Sequence, residues 1–170
     1  MQTRLTRLTG DRTAAWRWVS LAARLGLAAV WLAAGGAKVG DLAASGRAVN
    51  AYQVMPYELA RVVGAALPFV EIGLGLLLLA GLAVRLGAAV SAALLAVFVA
   101  GIVSAWSRGL AIDCGCFGGG GRLAAGQGPA YGTEILRDLG FLVLAGVLLW
   151  RPRSPFSIDG LLGVDSHEQS

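Results

Sequence analysis

Leu86–Ser107, LGAAVSAALLAVFVAGIVSAWS, runs 22 residues without a charged side chain. As a helix rising 1.5 Å per residue it covers ~33 Å, enough to cross the ~30 Å hydrocarbon core of a bilayer. Upstream, Val62–Val84 is interrupted only by Glu71 and carries Pro68 in its first third, and Val19–Gly36 contains only Arg24. Downstream, Leu139–Trp150 is uncharged, but its 12 residues would cover only ~18 Å. To span, that last helix must reach back toward Tyr131 and take Glu134, Arg137 and Asp138 with it. The pattern predicts an all-α integral membrane four-helix bundle.

Composition agrees with that reading. The chain has 170 residues, 56% hydrophobic and 14% charged, with a mean hydropathy of +0.69. A soluble domain carries about 25% charge, so an ordinary soluble enzyme is excluded, and disorder would need low hydrophobicity. The net charge of +4 does not indicate nucleic-acid binding, because the arginines are scattered and mostly flank apolar runs. The expected partner along most of the length is the lipid bilayer. Arg4, Arg7, Arg12 and Arg17 precede the first apolar run as in a secretory leader. That run, however, exceeds the 7–15 residues of an h-region, holds Arg24 and is followed by further spans, so it is expected to remain a span. Arg24, seven residues beyond Arg17, is expected to snorkel to the interface.

Orientation rests on basic residues near the span ends. With the N terminus cytoplasmic, that side holds Arg4, Arg7, Arg12, Arg17, Arg85, Arg151 and Arg153. The opposite side holds Lys38, Arg47, Arg61, Arg108, Arg122 and Arg137. Trp16, Trp18 and Trp150 mark one interface, and Tyr52, Tyr57, Trp106 and Tyr131 the other. The expectation is a multi-pass protein of the cell membrane with both termini cytoplasmic. It comprises an N-terminal segment 1–16, a membrane domain 17–151 and a polar tail 152–170, with the loops 38–60 and 108–132 facing outward. Gly36-Ala37-Lys38-Val39-Gly40 matches a small-residue packing motif, but it sits at a helix end with a lysine inside and is expected to contribute little.

The two cysteines occur as Asp113-Cys114-Gly115-Cys116-Phe117-Gly118, just after the third span. Cysteines one residue apart can close a disulfide only if the backbone turns, and Gly115 supplies that freedom. So short a loop constrains the unfolded chain little, which weakens a purely structural motive. Strained or exposed disulfides are the exchange-prone ones. Cations favour the thiolate, with Arg108, Arg122 and Arg137 as candidates, whereas Asp113 opposes it by like charge. Zinc needs four ligands, and the single histidine, His167, lies in the tail on the presumed opposite face. Copper(I) accepts two thiolates and stays open. The run Gly118–Gly121 reads as a flexible linker. Glu71, ten residues from Arg61 and so ~15 Å along its helix, falls near the bilayer middle. A carboxyl there must pair or stay protonated, with Lys38 and Arg137 able to reach it.

Taken in order, these features resemble the MauE family of the broader DoxX-like membrane proteins. They are Ala34-Gly35-Gly36-Ala37-Lys38-Val39, Tyr52 through Pro56, Leu67-Pro68-Phe69-Val70-Glu71, Arg108-Gly109 leading into Asp113-Cys114-Gly115-Cys116-Phe117-Gly118, and Arg137-Asp138. The resemblance covers roughly Arg17 to Trp150. It implies four membrane helices with an extracytoplasmic Cys-Gly-Cys loop between helices 3 and 4. Cys114 and Cys116 would be a redox pair, with Lys38, Glu71, Arg108, Asp113 and Arg137 as surrounding polar positions. The implied activity is thiol–disulfide exchange with an extracytoplasmic thioredoxin-like partner, in disulfide formation of the methylamine-utilisation type. Where the family pattern carries Arg-Asn, this chain has Arg137-Asp138. A bundle pocket could hold a quinone, although no residue pattern demands a cofactor. Two other classes compete: a transporter or small-ligand binder using Glu71, Lys38 and Arg137 with structural cysteines, and copper(I) handling.

Overall fold

The structure is a computed structural model that describes residues 2–115, 120–123, 128–152, 155, 157 and 158, with residues 2–14 described as backbone alone. Apolar length builds its frame. α1 (Gln2–Val39), α3 (Tyr57–Ala80) and α4 (Val84–Ser107) each contain a stretch long and apolar enough to cross a membrane, that of α1 being Ala15–Val39. α5 (Tyr131–Trp150) begins where the sequence required and is ~30 Å long. Its Glu134, Arg137 and Asp138 set it apart from the other three, so three candidate spans stand where the sequence predicted four.

The helices pack as lipid requires. Large apolar side chains point outward, Val62, Phe69, Val97 and Val143 all being more than half exposed, while many buried positions are Ala or Gly. Without a hydrophobic drive in lipid, close backbone approach and polar contacts must hold such helices together. Inside, Leu27, Trp31, Leu74, Leu78, Val84 and Leu148 form one buried cluster. There the Trp31 indole N–H donates to Ser91 Oγ at 2.9 Å, and Ser91 donates onward to Gly87 O at 2.7 Å. The helix ends gather in two groups. Trp16 and Trp150 lie 6.3 Å apart with Arg151 over both rings, and Trp106 and Tyr131 lie 6.0 Å apart at the opposite end. The two interface sets read from the sequence are therefore brought together in space, and α4 runs antiparallel to α5.

Two elements correct the sequence reading. The stretch 38–60, expected as loop, contains α2 (Leu42–Ala51), N-capped by Asp41, whose Oδ1 accepts from Ala44 N at 2.8 Å. Ten residues are too few for a helix stable on its own, so packing must fix it. It lies directly on α3, where a Cβ at Gly64 would come within 2.6 Å of Gly46 Cα and of Ser45 O. The stretch 108–132, expected as loop with a glycine linker, contains a minimal hairpin. β1 (Ile112–Asp113) pairs antiparallel with β2 (Gly121–Arg122). Gly121 is thus part of the ladder, whereas Cys116, Gly118 and Gly119 lie outside the described residues. The two glycines of the Gly36–Gly40 motif face open space, as expected of a motif that contributes little to packing. Arg24 does not extend to a solvated interface: it is 2% exposed and lies against Gly81 in the turn between α3 and α4. Ser157 packs on the same glycine and is buried there.

Candidate functional site

Cys114 follows β1 directly, and its position is set by the wall it leans on. Ala51, Ile102, Ala105, Ile112 and Tyr131 form a second buried cluster at this end, with Cys114, Tyr52 and Ile135 against it. Two tyrosine hydroxyls secure the loop. Tyr131 accepts from Ile112 N at 3.2 Å and donates to Leu110 O, and Tyr52 donates to Cys114 O at 3.1 Å. Gly115 then turns the chain at φ +67, where its amide donates to Asp113 Oδ1 at 3.0 Å. A side chain at Gly115 would be strained by that φ and would press on Gly120 and Ala48.

Charge is arranged unevenly around the sulfur. Arg137, in the second turn of α5, donates from Nη2 to Cys114 Sγ at 3.6 Å. Asp113 and Glu134 are also close, and with Cys114 each offers a donor atom within 4.8 Å of the others. Glu134 Oε1 also accepts from Cys114 N at 3.5 Å. One sulfur and two carboxylates is a harder donor set than copper(I) prefers, and no metal role is assigned to it. Arg108, expected beside the thiols, is occupied elsewhere. It donates to Tyr52 O at 2.5 Å, Gln53 O at 3.4 Å and Ser104 O at 3.1 Å. It braces a turn in which Gln53 has φ +52, a left-handed conformation that costs an L residue about 1–2 kcal/mol. Arg122 is exposed in β2.

Below the loop the polar residues form two ion pairs. Lys38 Nζ and Glu71 Oε1 meet at 2.6 Å with side chains 5% and 0% exposed, joining the end of α1 to the middle of α3. Arg137 Nε donates to Asp138 Oδ1 at 3.0 Å. Glu71 and Asp138 also line one small gap of about 10 Å³, closed by Trp31, Ala34, Leu95 and Phe98. Glu71 Oε2 and Asp138 Oδ2 are buried without a hydrogen-bond partner. A space of that size admits about one water, which has the two donors those oxygens lack. Among the described residues, Glu71 thus belongs to Lys38, and Arg137 belongs to Asp138 and Cys114.

A larger cavity of about 220 Å³ lies beside this network. Near the α3–α4 turn the two helices are in contact, Gly87 lying against Leu78. Toward the cysteine end the space between them opens, lined by Leu67 of α3, Leu94 and Phe98 of α4, and Ala48 of α2. Lys38 and Cys114 line it together. Tyr52, Tyr131, Glu134 and Asp138 are residues that the sequence reading named for other reasons and did not assign to the cysteine site. The tyrosines carried a signal, since a hydroxyl at an interface needs a partner, but the identity of that partner depends on the loop's fold.

A family model described as MauE, methylamine utilisation protein MauE, matches residues 16–151. No curated protein and no solved structure matches the chain.

Proposed function

The chain belongs to the MauE family, and on the premise of a multi-pass membrane protein associated with methylamine utilisation we propose that it is a membrane thiol–disulfide relay. Cys114 and Cys116 exchange with a thioredoxin-like protein on the extracytoplasmic face, in the formation of disulfides in secreted proteins. The observation that carries this reading is the Arg137 guanidinium 3.6 Å from Cys114 Sγ. A cation beside a thiol favours the thiolate, which is the attacking form. In the forward step a thiolate of the pair attacks a partner disulfide, or a partner thiolate attacks the Cys114–Cys116 disulfide. Either way a mixed disulfide forms, the displaced sulfur leaves as thiolate, and the second thiol of the attacking pair resolves it. Both termini cytoplasmic, as the basic N terminus favours, would put the loop where disulfides persist.

The carrier reading gains little from the Glu71–Asp138 gap, because about 10 Å³ admits no solute larger than water. Trapping tests the relay. In intact cells, Cys116→Ser or Cys114→Ser should accumulate a mixed disulfide with a thioredoxin-like protein, resolved by non-reducing electrophoresis and mass spectrometry. Arg137→Gln in the Cys116→Ser background should slow alkylation of Cys114 by an impermeant reagent at neutral pH by ~tenfold. Capture by neither cysteine variant removes the relay.

A further inference from the structure

A dithiol that is oxidised gives up two electrons and two protons, and something must take them. Among the described residues near Cys114, none can do so. The 220 Å³ cavity can hold a molecule that does, and three features define its chemistry.

The first is the route in. Val63 of α3 and Val97 of α4 line the cavity and are 39% and 65% exposed on outward helix faces, and Val54, 55% exposed, lines it from the turn between α2 and α3. A ligand enters from the bilayer and is lipophilic. The second is size. The volume is smaller than the ~300–1,000 Å³ of a pocket that encloses a whole drug-sized ligand, so it suits a ring whose tail remains in the membrane. The third is polarity. The walls are almost wholly apolar, and Lys38 brings a buried ammonium to them. That ammonium has three N–H donors, of which Glu71 Oε1 accepts one, and the Phe98 ring lies 6.0 Å away. An acyl chain would leave the remaining donors facing hydrocarbon, whereas a ring carbonyl accepts from them. Cys114 lines the same space.

We propose that this cavity binds the ring of a quinone, with one ring carbonyl toward Lys38, and that the quinone is the relay's electron acceptor. The electron-transfer part rests on the relay reading; the binding part does not. The step balances. The two S–H bonds of Cys114 and Cys116 break and one S–S bond forms. The pair of electrons and the two protons pass to the two quinone oxygens, giving a hydroquinone that leaves into the bilayer. The dithiol is oxidised and the quinone reduced.

The test uses the full chain in detergent or nanodiscs, reduced and freed of reductant, with decyl-ubiquinone as probe. Wild type should bind it saturably and reduce one equivalent per cysteine pair, read as loss of the oxidised quinone's near-ultraviolet absorbance. Cys114→Ser should still bind it saturably and reduce none. Val97→Trp, at a lipid-facing position where a larger apolar side chain does not threaten folding, should narrow the mouth and weaken binding at least ~tenfold. It should leave mixed-disulfide trapping unchanged. Lys38→Met should weaken quinone binding but leave the affinity for decylbenzene, which has the tail and no carbonyl, unaltered. Equal affinity of wild type for decylbenzene and decyl-ubiquinone would assign the cavity to acyl chains and overturn the proposal. So would quinone binding indifferent to Val97→Trp, and in either case successful trapping would leave the relay standing. Quinone bound in a Val97-dependent way but never reduced, with no partner trapped, would overturn the electron-transfer step and the relay together.

Discussion

The two ends of this helix bundle are built on opposite principles. At the α3–α4 turn, Leu74, Leu78, Val84 and Leu148 fill the interior, and Gly87 lets α4 approach Leu78 closely. At the cysteine end the same two helices part around 220 Å³, and α2, a hairpin and two tyrosine hydroxyls are needed to cover the gap. In lipid, where burial of apolar groups gives no drive, the sealed end is held by dispersion and backbone proximity. The open end, besides the Ala51–Ile102–Ile112 cluster and the Gly46–Gly64 crossing, relies on hydrogen bonds and ion pairs. One end provides stability, and the other provides a place where a sulfur, a guanidinium and an ammonium share a small volume.

The largest expected effect comes from the buried pair at the open end. Glu71→Leu strands the Lys38 ammonium and should destabilise the protein by about 3–5 kcal/mol, because an uncompensated buried charge is left. The double variant Lys38→Met with Glu71→Leu should recover most of that loss, as apolar replacement of a whole buried pair is often neutral. Thermal unfolding in one detergent, all three variants side by side, measures it. A double variant no better than the single would mean that the pair organises the site rather than merely neutralising itself.

Truncation sharpens the contrast between the ends. Leu78→Ala removes a fully buried side chain from the sealed end and should cost about 2–4 kcal/mol through the cavity it leaves. Leu67→Ala enlarges a space that already exists and should cost less than about half as much by the same reasoning. Equal losses in denaturant or thermal unfolding would contradict the view that the open end is already relaxed around its cavity.

The smallest effect belongs to the exposed pairs. Arg61–Glu58 at 3.0 Å and Arg47–Asp41 at 3.7 Å have side chains at least 60% exposed. Arg61→Ala should change stability by at most about 1 kcal/mol, and less in high salt. A salt-insensitive loss of several kcal/mol would show that this face is covered in the membrane.

Particular residues show how far the sequence reaches. That Glu71 needs a partner was legible, because a carboxylate near the middle of an apolar run must be neutralised, but Lys38 and Arg137 were both in reach, and the fold gives it Lys38. α2 carried a signal as well, the Asp41 cap ahead of an alanine-rich stretch, but ten residues do not commit to a helix without the Gly46–Gly64 crossing onto α3. Arg108, just ahead of the cysteines in sequence, and Arg137, on the following helix, were both candidates to sit beside the sulfur. Only the fold separates them, giving Arg108 to the carbonyls of Tyr52 and Gln53 and Arg137 to Cys114.

The sequence by itself determined that the chain lives in a membrane, where its longest apolar helices run, and that charge at depth must be paired. Those are properties of composition and length along one dimension, and the bilayer's thickness turns them into structure. The tertiary structure alone decided which cation meets the sulfur, which carboxylate oxygens are left facing a water-sized gap, and where α3 and α4 part to leave a cavity. Those depend on how each helix is rotated about its axis and at what angle it crosses its neighbours. That is set by contacts such as Gly46 on Gly64 and Gly87 on Leu78, between residues far apart in the chain or facing across a turn.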